Sequence, residues 1–282
     1  VRSYGGLPPS ERAVVWHPEE GVIDAHGLEN HDVVIHLAGE NIAGLWTPAK
    51  KRRIRASRVD GTALLARTLA GMDAERRPSV LVGASAVGYY GDRPPDQPVR
   101  EDDPPGGGFM ARVVVDWEAA ADPARDAGVR VVHLRLGLVL DPGALLLRAS
   151  ALATRLGLGA TFGDGRQPFP WITLDDVAGL VRFALERPDV EGRYNAAAPE
   201  RTTNRDYADT LARVLDRPRL LRIPAPALRL LGELGAELLG GAWVVPARLE
   251  AAGYPWRAPR LEPALRRLLE RPERARDKPV TP

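Results

Sequence analysis

The chain has 282 residues, 44% of them apolar and 27% charged, with a formal net charge of +2, a balance typical of a globular protein of one large or two unequal domains. It contains no cysteine, which excludes disulfides, thiolate nucleophiles and cysteine-based metal sites. The 39 basic residues are spread along the chain, so nucleic acid is not the expected partner. No apolar run approaches the roughly 20 residues of a membrane span, and the opening Val1-Arg2-Ser3-Tyr4 lacks signal-peptide character, so a cytoplasmic, enzyme-like protein is expected. Only Lys50, Lys51 and Lys278 are lysines; every other Lys/Arg cation is arginine, which leaves almost no amine for general-base or Schiff-base chemistry.

In chain order, Asp32–Leu37, Ser79–Gly83 and Val129–Leu134 are short apolar runs bounded by turn residues, the pattern of buried parallel strands. Between them, Thr47–Met72 reads as a helix with Pro48 at its start. Phe109–Ala121 reads as a second, because Met110, Val113, Val114, Trp117 and Ala121 share one face. Asp122-Pro123 interrupts it as a cap followed by a first-turn proline. Leu174–Glu186 follows Thr173 and Asp176 in a capping-box arrangement, with Val177, Leu180, Val181 and Ala184 as its stripe, and Arg205–Leu215 follows Thr203 and Asp206 likewise. Alternating strands and helices give an α/β protein with a parallel sheet. Residues 1–198 form the expected main domain, 199–270 a smaller, mostly helical lobe, and 271–282 a frayed tail.

Four loop motifs carry the chemistry: Leu37-Ala38-Gly39-Glu40, Ser85–Gly91, Leu134–Leu140 and Phe169–Ala178. The first three follow apolar runs, where a doubly wound sheet places ligand-contacting loops. Together they resemble the atypical, extended group of the short-chain dehydrogenase/reductase superfamily called NAD(P)-dependent epimerase family proteins, with a DUF1731-like C-terminal domain. The resemblance covers roughly residues 1–270 and is most specific over 162–178. It implies a Rossmann-like, doubly wound parallel sheet and a bound NADP, with NAD second. It places Leu37, Ala38 and Gly39 against the cofactor, Arg58 on its phosphates and Val139 beside the nicotinamide. Arg2, at the end of the implied second strand, would pair with the 2′-phosphate. Ser85 with Tyr89 or Tyr90 would be the catalysts, and Glu40, Gln167 and Trp171 would meet a small-molecule substrate. Trp171 reads equally well as core.

Two departures matter. The Gly-rich strand–turn–helix that opens such a fold is not found before Asp32. Gly157-x-Gly159-x-x-x-Gly163 follows a helical stretch and leads into loop, the wrong context for a pyrophosphate turn. Val1-Arg2 fits the end of the family's second strand and Ala13–Trp16 its short third strand, so the sequence is expected to lack about 30 residues of an opening βαβ unit. The alternative is a natural protein repacked around the loss. Second, no tyrosine has a lysine four residues later. Aligned through Trp117-Glu118, those positions fall on Met110 and Val114. A tyrosine without such help has a pKa near 10, leaving about one part in a thousand as phenolate at neutral pH. Three functions stay open: an epimerase or reductase without that pair, a catalytically silent NADP-binding protein with a regulatory or interaction role, and a truncated form that binds nothing. The histidines His17, His26, His31, His36 and His133 show no metal-ligand spacing.

Overall fold

The computed structural model describes residues 13–94, 96–218 and 221–270. It begins with a two-residue antiparallel ribbon of β1 (Trp16–His17) and β2 (Val22–Ile23). The short strand expected over Ala13–Trp16 therefore pairs in this ribbon and not in the main sheet. β3 (Val33–His36) leads to α1 (Pro48–Gly71), whose start Thr47 caps by accepting from the Lys50 amide, with Pro48 in the first turn. β4 (Val80–Ala86) runs into a single 3₁₀ turn, Val87–Tyr90. α2 (Phe109–Ala119) buries Met110, Val113, Val114 and Trp117. A short α3 (Asp122–Asp126) follows, with Ala121 at the cap position and Asp122 already helical, so Asp122 is not the cap its sequence suggests.

β5 (Arg130–Leu136) and β6 (Leu138–Leu140) divide the third motif at Gly137. There a Cβ would stand 2.6 Å from the Pro170 carbonyl oxygen. α4 (Leu145–Arg155) and β7 (Ala160–Phe162) flank the Gly157–Gly159 segment, so it joins a helix to a strand, the reverse of a pyrophosphate turn. β8 (Trp171–Thr173), α5 (Leu174–Glu186) and β9 (Gly192–Ala196) complete the first 198 residues. α6 (Asn204–Val214), β10 (Leu221–Ile223), α7 (Ala225–Arg229), α8 (Glu233–Leu239), α9 (Ala247–Ala251) and α10 (Leu261–Glu270) follow.

The main sheet is parallel, in the order β3-β4-β5-β9. β4 is buried on both faces, which explains its unbroken apolar and small-residue sequence. Helices cover the sheet: Leu65, Ala66 and Leu69 of α1 pack with Leu81 and Val131 on one side, and Val177, Leu180 and Ala184 of α5 with Val82 and Val132 on the other. β3 is an edge strand among the described residues, and Ile35 and Leu37 there are 48% and 57% exposed. Asp176 does not complete a capping box at α5. Its carboxylate instead accepts the Thr173 hydroxyl and the amides of Arg257 and Ala258, fastening the C-terminal segment to the sheet. At α6, Thr203 and Asp206 form the full box. No described helix is long and apolar enough to cross a membrane.

Candidate active site

The strand-end motifs converge at the carboxyl ends of β3, β4 and β5, where ligands of open α/β sheets bind. After β3, the chain turns back onto α1. The Glu40 amide donates to Ser57 Oγ at 2.9 Å, and Arg58 Nη1 donates to the Glu40 carbonyl at 3.1 Å. A Cβ on Gly39 would stand 3.2 Å from the Arg58 guanidinium carbon, so glycine lets the backbone and the arginine lie in close apposition without displacing either. Arg58 Nε is buried with no partner among the described residues, as is His36 Nε2 at the same strand end. Burial lowers the Arg58 pKa, opposed by the Glu40 charge, and burial lowers His36 to about 4, which keeps it neutral. Leu37 and Gly39 are exposed and Ala38 half-buried. Glu40, expected on the substrate, instead takes the Lys50 ammonium at 2.7 Å. That hydrogen bond lowers its carboxyl below the ordinary range.

The second motif ends on a buried charge network. Ser85 is 2% exposed and donates to Glu118 Oε1 at 2.7 Å. Arg135, fully buried, binds both Glu118 oxygens, from Nε at 2.8 Å and Nη2 at 2.9 Å. Its Nη1 donates to the Tyr90 hydroxyl, which donates in turn to Asn195 Oδ1 or the Arg100 carbonyl. Burial alone would raise the Glu118 carboxyl; hydrogen bonds and charge from Arg135, with the Ser85 bond, outweigh it and hold Glu118 low. Burial pushes Tyr90 up to about 12. Tyr89 differs: it is half-buried, its ring lies under the Arg135 guanidinium, and its hydroxyl has no hydrogen-bond partner among the described residues. Gly91, at φ +59°, and Gly106 close the turn, where a Cβ on Gly106 would fall 1.9 Å from the Tyr90 carbonyl oxygen.

Sequence reasoning assigned no part to Arg135, Glu118 or Asn195, although an arginine inside the apolar run Leu134–Leu140 signals a buried acidic partner. α8 gave no signal at all. It crosses the site: Leu234 packs with Trp46 and Met110, and Glu237 Oε1 lies 3.8 Å from where a Gly88 Cβ would be. Burial, then the nearby Asp92 carboxylate, raises the Glu237 pKa. Gln167 belongs to the same closure, because its Nε2 donates to the carbonyls of Phe162 and Leu238. Its amide nitrogen is thus committed to the chain.

Trp171 corrects the expectation of a ligand wall: it is fully buried among Leu140, Leu147 and Leu265, and its indole N–H donates to Thr202 Oγ1. Val139 is half-buried in β6, paired with Ile172. Arg2, proposed for the 2′-phosphate, lies outside the described residues.

Residues 20–197 match the NAD dependent epimerase/dehydratase family, and residues 223–268 match a domain of unknown function, DUF1731. An epimerase family protein of Mycobacterium bovis is 38% identical over 257 residues, spanning 90% of this chain and 84% of its own length. The human epimerase family protein SDR39U1 is 35% identical, over 87% of this chain and 84% of its own. A crystal structure of human SDR39U1 (isoform 2) with NADPH superposes with a TM-score of 0.78 at 33% identity, covering 86% of this chain and 82% of that one. A Bacillus cereus UDP-glucuronic acid 4-epimerase in complex with NAD, 18% identical, shares the Rossmann-like fold at a TM-score of 0.65, over 84% of this chain and 72% of that one. The fold is thus Rossmann-like α/β, and the chain belongs to the NAD dependent epimerase/dehydratase family.

Proposed function

We propose that this protein binds NADP(H) and acts in the cytoplasm as an oxidoreductase or epimerase-like enzyme on a small molecule, without a Tyr-x-x-x-Lys pair. The observation that carries the reading is the Gly39–Arg58 apposition: an uncovered backbone beside a guanidinium whose Nε has no partner suits a cofactor phosphate. The NADPH in the human relative's structure supports the same choice. Bound NADPH would supply a hydride. Leu37–Gly39 and Arg58 would hold it, Val139 would flank its ring, and Arg2 remains the candidate for the 2′-phosphate.

Of the two tyrosines, Tyr89 is the proton carrier in this reading, because its hydroxyl is unengaged while that of Tyr90 is saturated and pushed up to about 12. Ser85 positions Glu118 and, through it, Arg135. Glu237, with Oε1 3.8 Å from where a Gly88 Cβ would stand, brings a carboxyl of the C-terminal lobe to that turn. A second reading, a catalytically silent NADP-binding protein, is favoured by the burial of both the Ser85 and Tyr90 hydroxyls.

Fluorescence titration with NADPH, compared with NADH, tests the proposal. Saturable binding with NADPH preferred supports it, and absence of binding overturns both readings. Given binding, loss of hydride transfer to or from candidate substrates in Tyr89→Phe selects the enzyme over the silent protein.

A further inference from the structure

We propose that the cavity between the first turns of α1 and α2 and the start of α8 binds a small organic oxyanion, a phosphate or carboxylate carried on a flat ring. This deepens the functional reading above and rests on it only in calling that molecule the substrate. The cavity holds about 420 Å³, within the range of small-molecule sites. It is lined by Trp46, Phe109, Lys51, Arg52, Arg55 and Glu233, with Pro48 at its edge.

The chemistry of the lining is one-sided. Lys51, one of only three lysines in the chain, stands 4.6 Å over the Phe109 ring and reaches across to Glu233 of α8. Arg55 is held by two hydrogen bonds to Asp116. Arg52 makes no ion pair among the described residues. Three cations thus face one lining carboxylate, and Asp116, outside the lining, satisfies only Arg55. A cationic ligand is repelled there, and a neutral one gains less from Arg52 than an anion does. An oxyanion is drawn to both Arg52 and Lys51, as charge-assisted hydrogen bonds to guanidinium and ammonium groups require.

The other wall is apolar. Trp46 and Phe109 meet edge to face at 5.4 Å, and the indole N–H of Trp46 is already donated to the Ile42 carbonyl. The half-buried Phe109 ring is therefore a surface for stacking a flat body, with no polar group of Trp46 left to satisfy. The position suits a substrate end, too. Phe109 precedes Met110, whose Cβ lies 3.4 Å from where a Gly88 Cβ would stand, and Glu233 sits one helical turn before Glu237, whose Oε1 lies 3.8 Å from the same point. A molecule anchored on Lys51 and Arg52 would point its far end toward that turn.

The probe is phenyl phosphate, titrated into the 282-residue chain by isothermal calorimetry, with inorganic phosphate and phenol as its two halves. Saturable binding is expected, tighter than for either half. Loss of one charge-assisted contact is expected to weaken it about tenfold or more in Arg52→Ala and in Lys51→Ala. Phe109→Ala should weaken phenyl phosphate but not inorganic phosphate, and Arg67→Ala, on an exposed later turn of α1, should change nothing. No saturable binding, or equal loss in R52A and R67A, overturns the site. NADPH titrated into the same samples separates the two ideas. Phenyl phosphate bound as above with no NADPH binding leaves the pocket standing and removes the cofactor reading. NADPH binding with no phenyl phosphate binding does the reverse.

Discussion

The guanidinium carbon of Arg135 lies 3.5 Å from the ring centre of Tyr89. The same group binds Glu118 through two hydrogen bonds and Tyr90 through a third. One buried cation therefore fixes the three residues that the second motif offers for catalysis: Tyr89 by stacking, Tyr90 by its hydroxyl, and Ser85 through Glu118.

Arg135→Met should destabilise the fold by about 3–5 kcal/mol, because it leaves Glu118, 3% exposed, without its main counter-charge. Arg135→Met combined with Glu118→Leu should recover part of that loss, since no carboxylate then remains to be compensated. Urea denaturation of the two variants measures the difference; equal losses would show that the charge pair is not what the core depends on.

The two tyrosines should separate cleanly. Tyr90→Phe removes the group that links Arg135 to Asn195 and should cost about 1–3 kcal/mol. Tyr89→Phe touches no hydrogen bond and should stay within about 0.5 kcal/mol of the parent. Thermal melts read the stabilities. A Tyr89→Phe loss as large as that of Tyr90→Phe would reverse the assignment of the structural and the available hydroxyl.

Stability should fall on acidification through two buried imidazoles. Burial lowers both His36 and His133 to about 4 from the ordinary imidazole value of 6.5. Between those values the unfolded chain binds more protons than the folded one. The stability tied to neutral imidazole is therefore intact above pH 6.5 and lost as pH falls toward 4. The loss is up to about 3 kcal/mol for each site. Urea midpoints at about pH 7.5 and 4.5 should differ less in His133→Gln than in the parent; an unchanged difference would assign the acid limb to other groups.

Gly39→Val should weaken NADPH binding about tenfold or more, because its branches would displace the Arg58 guanidinium and cover the backbone that the cofactor approaches. Gly39 is exposed, so the melting temperature without ligand should change little. Undiminished NADPH affinity would move the cofactor away from this strand end.

The sequence by itself determined the helices and strands whose signals are local. Thr47-Pro48 marked the start of α1, the Met110–Trp117 stripe marked α2, and Thr203 with Asp206 marked α6, since caps and periodicity act within a few residues. The unbroken apolar runs marked the parallel strands, and the loop motifs marked the family. Only the tertiary structure decided how those motifs meet. Glu118 and Arg135 lie 17 residues apart on a helix and a strand, and Arg135 and Tyr90 are separated by 45, so no local pattern pairs them. Trp171 reads as wall or core until the packing of β8 against Leu140 and Leu265 buries it. α8 is a seven-residue helix of small and apolar residues with two glutamates. Its part in the site arises because Leu234 packs on Trp46 and Met110, carrying Glu233 to Lys51 and Glu237 to Gly88. Buried charges and clefts are made by contacts distant in sequence, and their energies exist only once the chain has closed around them.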